Sequence, residues 1–90
     1  MNTILISYDL MSPGKDYSAL HKHIESYGNW AKPLESFWFI RTNNSAEIVR
    51  NLAMKYIDVN DKLFVVEITG MASAWQNLSN EVVNWIGSKL

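Results

Sequence analysis

The run Thr3-Ile4-Leu5-Ile6-Ser7-Tyr8-Asp9 limits the possible folds more than any other feature of the chain. It is short, rich in β-branched and aromatic residues, and followed by the turn-forming pair Pro13-Gly14, so it reads as a buried strand at the centre of a sheet. There is no cysteine, so neither a disulfide nor a thiolate zinc site can staple the core around that strand. Four Trp, four Tyr and three Phe must supply the large apolar area instead. Ninety residues make a single domain, 1–90, in which roughly 60–65% of the extended surface is buried. Such a core is marginal, and dimerisation would strengthen it.

The remaining elements follow from periodicity and turn chemistry. Asp16 is placed to cap a helix running to about Tyr27, because Tyr17, Leu20, Ile24 and Tyr27 share one face and Gly28 is a natural stop. Asn29 to Pro33 reads as an edge strand, where a missing proline donor is tolerated, and Glu35 to Thr42 as a strand with large residues on both faces. Asn44-Ser45-Ala46-Glu47 resembles a capping box and opens a second helix that buries Val49, Leu52, Ala53 and Tyr56 and ends near Ile57. After the turn Asp58-Val59-Asn60-Asp61, Lys62 to Thr69 alternates as a strand closed by Gly70, and 78–90 carries Leu78, Val82, Trp85 and Ile86 at helical spacing. The order strand, helix, strand pair, helix, strand predicts an α+β, ferredoxin-like βαββαβ unit with an added C-terminal helix.

Charge narrows the partners. Eight Lys and Arg against nine Asp and Glu leave a net charge of −1, and the cations are scattered, so a sequence-independent grip on a nucleic-acid backbone is not advertised. The first apolar run is too short for a signal peptide or a membrane span, which points to a cytoplasmic protein with no membrane partner. No HExxH, GxGxxG, P-loop or nucleophile-elbow pattern occurs. His21 and His23 lie roughly 200° apart around a helix and cannot share an ion from one face.

Asp9 is the most informative polar residue. It ends an apolar strand, where an unpaired buried carboxylate is costly and a place at the sheet rim is favoured, holding a cation or a proton. A turn or helix-terminus role competes with that reading. A lone carboxylate is a poor metal site and needs company from Asp16, Asp61 or a second Asp9 across a two-fold axis. Phe37, Trp38 and Phe39 alternate on a strand, where an exposed ring could stack a base but packing is the commoner fate; Trp75 and Trp85 read first as packing anchors.

Three stretches, Tyr8-Asp9 closing the first strand, Lys32-Pro33-Leu34-Glu35-Ser36-Phe37-Trp38, and Ile57-Asp58-Val59-Asn60-Asp61-Lys62-Leu63-Phe64-Val65, resemble the CRISPR-associated adaptation nuclease-like family of small homodimeric ferredoxin-like proteins, over about residues 3 to 68. The chain looks closer still to short bacterial and phage proteins often labelled SinR-like. The resemblance implies that Asp9 is the catalytic and metal-binding residue of a Mg²⁺-dependent endonuclease acting on RNA or DNA phosphodiesters. It matches Tyr8 beside Asp9, Lys32 at the family's basic position and Ser36 at its serine. In the enzyme reading two Asp9 carboxylates meet across a two-fold axis to bind Mg²⁺, and Lys15 and Lys32 are candidate phosphate clamps. Leu34 stands where the family has glutamine, Trp38 where it has phenylalanine, and a third helix replaces its short C-terminal strand. The alternative is a non-catalytic dimeric binding module for a protein or nucleotide-like partner, to which near-neutral charge is better suited.

Overall fold

A computed structural model describes residues 1–11 and 16–90. Its elements are β1 (Asn2–Asp9), α1 (Ser18–Glu25), β2 (Trp30–Leu34), β3 (Phe37–Thr42), α2 (Ala46–Ala53), a 3-10 turn (Met54–Tyr56), β4 (Lys62–Glu67) and α3 (Asn80–Lys89). The four strands form one antiparallel sheet in the order β2-β3-β1-β4. This α+β architecture is compatible with the ferredoxin-like arrangement expected from the sequence. No described helix is long and apolar enough to cross a membrane. Lys15 and the expected Pro13-Gly14 turn lie outside the described residues.

β1 is central because both its edges are used: Asn2 to Ser7 pair with β3, and Ile4 to Asp9 with β4. Alternation then divides the sheet into two faces. Ile4, Ile6 and Tyr8 join Trp38 and Ile40 of β3 on the face covered by α1 and α2, where Leu20, Ile24, Val49 and Ala53 complete the main core. On the other face Ala31 and Phe39 pack with Ile86 of α3, flanked by Leu5, Ile68, Val82 and Trp85. Phe39 and Trp85 lie nearly parallel, 8° between planes at 5.7 Å, and Trp85 Nε1 donates to Asn29 Oδ1 at 3.0 Å. Phe39 and Trp85 thus pack against each other within the chain, fixing α3 to the sheet.

Several boundaries shift from those read in sequence. α1 starts two residues after Asp16, whose Oδ1 accepts from Ser18 N at 2.8 Å; that bond holds the Asp16 carboxyl below its ordinary pKa. Gly28, at φ +81°, follows the last turn of α1 in the left-handed region that glycine enters freely. The segment at Trp30 is a strand, on the sheet edge, with its register broken between Ala31 and Leu34 around Pro33. The cap of α2 is Ser45, accepting from Ile48 N at 3.2 Å, one residue later than the capping box expected with Asn44 and Glu47. α3 begins after Ser79, so Leu78 precedes it while still packing on the second core.

Ile4 is fully buried in the central strand, whereas Ile48 is exposed on α2. Ile4→Ala should lower the unfolding free energy by about 2–5 kcal/mol, with Ile48→Ala within about 0.5 kcal/mol of wild type, both read by urea denaturation.

Candidate functional site

The pleat at the end of β1 sends two adjacent residues to opposite sides of the sheet. Tyr8 turns into the main core at 5% exposure, and its hydroxyl accepts from Trp38 Nε1 at 2.9 Å. Burial raises the phenol's pKa above its ordinary value; the Trp38 bond opposes that rise and the charge of Glu35 adds to it. Around this pair His21 lies 6.3 Å from the Tyr8 ring and 5.9 Å from Trp38, and Trp30 lies 5.2 Å from Trp38. Lys32 Nζ sits over the Trp38 ring at 5.4 Å, a cation–π contact on the same side of the sheet. Ser36 occupies the exposed β2–β3 turn, and its carbonyl accepts from Tyr8 N at 3.2 Å.

Asp9 faces the other way. It is exposed and stands directly across the ladder from Lys62, with Ser7 and Phe64 as the next pair on that face. These residues line an open cleft of about 170 Å³. Phe64 is 63% exposed although it sits mid-strand, because α3 covers the Ala31–Phe39 part of this face and leaves the Asp9 end open. The sheet therefore separates Asp9 from Lys32; among the described residues the cation opposite Asp9 in the strand register is Lys62. In the sequence Lys62 is one of the scattered cations, since the register that sets it opposite Asp9 is tertiary. Phe64 carried a weak signal, an aromatic on the strand face opposite Leu63 and Val65.

The donors at this end can be compared with the needs of a divalent cation such as Mg²⁺, which takes oxygen ligands, commonly one or two carboxylates with waters and substrate phosphate. Asp9 is one carboxylate, with Lys62 as its cross-strand partner. Asp61, weighed as its companion, accepts from Met11 N at 2.7 Å, Tyr17 Oη at 2.9 and 3.0 Å, and Asp58 N at 2.7 Å. It works as a tie between the start of β4 and the segments around Met11 and Tyr17. Asp16 is bound to Ser18 N. Among the described residues no three His, Cys, Asp or Glu are grouped to hold a metal ion. Within this chain Asp9 therefore offers one carboxylate at the rim, with neither Asp16 nor Asp61 turned to join it. His21 and His23 enter separate aromatic stacks, as their spacing requires.

These environments predict opposite consequences for two acidic residues. Asp61→Ala strips the acceptor from three donors and should cost about 1–3 kcal/mol or more in chemical denaturation, while Asp9→Ala stays within about 0.5 kcal/mol. No protein-family model matches this chain.

Proposed function

We propose that this chain, a ferredoxin-like domain with an added C-terminal helix, acts as a cytoplasmic homodimer joined through the open end of its second sheet face. Two Asp9 carboxylates then flank a common rim. The observation that carries this reading is the placement of Asp9 on the same uncovered strip as Phe64, an aromatic 63% exposed in the middle of a strand. Burying such a ring is worth roughly 1.5–3 kcal/mol per copy, and a face-to-face contact there sets like carboxylates near each other at its margin. Like charges brought close favour a bound cation.

Paired Asp9 residues could hold Mg²⁺, and a bound cation of that kind supplies polarisation of a phosphoryl oxygen and a more acidic water. The chain's own contribution is to fix both carboxylates on rigid strand ends and to offer Lys62 to a phosphate oxygen. This supports a Mg²⁺-dependent endonuclease acting on RNA or DNA. Tyr8 enters as the residue that anchors the end of β1, and Ser36 as the turn that closes on it. The non-catalytic dimeric module is favoured by a different observation: Lys32 is held over Trp38 on the far side of the sheet, so the phosphate-binding cations expected beside Asp9 reduce to Lys62 within the described residues.

Sedimentation velocity at tens of micromolar should show a dimer that Phe64→Glu dissociates; a wild-type monomer overturns the proposal. Incubation of labelled single- and double-stranded RNA and DNA with Mg²⁺ or Mn²⁺ then separates the two readings. Cleavage lost in Asp9→Asn with the dimer intact supports the enzyme. A stable dimer with no cleavage, or cleavage unchanged in Asp9→Asn, leaves the binding module.

A further inference from the structure

His23, in the last turn of α1, is held between two tyrosines from different segments. Its ring stacks on Tyr56 of the 3-10 turn, with centroids 4.7 Å apart and planes at 22°, and meets the edge of Tyr27 at 5.5 Å and 69°. The His23 Nε2 atom is buried and has no hydrogen-bond partner, and neither has the Tyr27 hydroxyl. A neutral imidazole tolerates this slot, because an unprotonated Nε2 presents only a lone pair. A proton there creates a charged N–H donor with no hydrogen-bond partner in this packing, which costs part of the hydration the charged ring would otherwise keep.

We propose that the His23–Tyr27–Tyr56 stack is an acid-sensitive clasp, holding the Met54–Tyr56 turn against α1 while His23 is neutral and releasing it when the imidazole is protonated. The titratable groups packed on the ring are the phenols of Tyr27, from the turn after α1, and Tyr56, and the charged neighbour is Lys55, both from the 3-10 turn. Burial first, and the Lys55 charge second, hold His23 below the ordinary histidine range. Burial also raises the Tyr27 phenol, so that group stays neutral throughout the window. The sign follows: with a folded-state value below the unfolded value of about 6.5, the clasp contributes fully above that pH and is lost as pH falls through the folded value. The turn leads into the Asp58–Lys62 segment, so its release loosens the approach to β4. None of this depends on the Asp9 rim.

NMR titration of the imidazole signals in the full chain, combined with amide hydrogen exchange at Lys55, Tyr56 and Ile57, tests the clasp. Between about pH 7.5 and about pH 5.5, His23 should titrate below about 6.5, and protection of those amides, corrected for intrinsic rates, should fall on the order of tenfold relative to β1. His23→Phe, which keeps an aromatic ring in the stack but cannot take a proton, should hold its protection across the same range. A His23 titration at or above the ordinary value overturns the proposal, with no variant required. So does equal loss of protection in wild type and His23→Phe.

Discussion

Two-sided pairing of β1 is the constraint on which the rest of the molecule depends. With β3 on one edge and β4 on the other, its backbone donors and acceptors are consumed along the strand, and its side chains must alternate between the helix-covered core face and the face that α3 covers in part. A one-residue slip would place Leu5, Ser7 and Asp9 in the main core and expel Ile4, Ile6 and Tyr8. The Trp38–Tyr8 hydrogen bond adds a second lock on register, since a buried indole N–H needs an acceptor and Tyr8 supplies one only in this alignment.

The same register separates structure from surface chemistry at the strand end. Tyr8, Lys32, Trp30 and His21 collect around Trp38 on the helix-bearing face of the sheet, an aromatic and cationic cluster. Asp9, Lys62 and Phe64 share the opposite face, which α3 covers only in part. Cover stops short because α3 is anchored elsewhere: Trp85 is stacked on Phe39, Thr3 Oγ1 donates to the Lys89 carbonyl at 2.7 Å, and Arg41 Nη1 donates to the same carbonyl. A helix tied at those points lies over one end of the sheet and leaves the other open.

Much of the architecture was legible in the residues themselves. The β-branched run at Thr3–Asp9, the stripe Leu20–Ile24, the stripe Val49–Ala53 and the stop at Gly28 each act through local periodicity or backbone freedom, and each lies where it was read. Errors of one or two residues arose where side chains compete for the same backbone donor. Ser45 rather than Asn44 caps α2, and Asp16 reaches Ser18 N from outside the helix it was expected to begin. The roles of Asp61 and Lys62 were not legible. One is a hub for donors up to 50 positions away, the other a cross-strand neighbour of Asp9, and sequence distance carries no record of either contact.

By itself the sequence determined which segments become strands and helices, that no disulfide assists them, and that a carboxylate ends the central strand. Those properties reside in single residues and short spacings. Only the tertiary structure decided which side of the sheet that carboxylate faces, that Lys62 and not Lys32 stands across the ladder from it, and that a histidine stacks between tyrosines from two segments. Each of these depends on the pairing of strands and the docking of helices far apart in the chain, and burial and Coulomb interactions are set by distance in space.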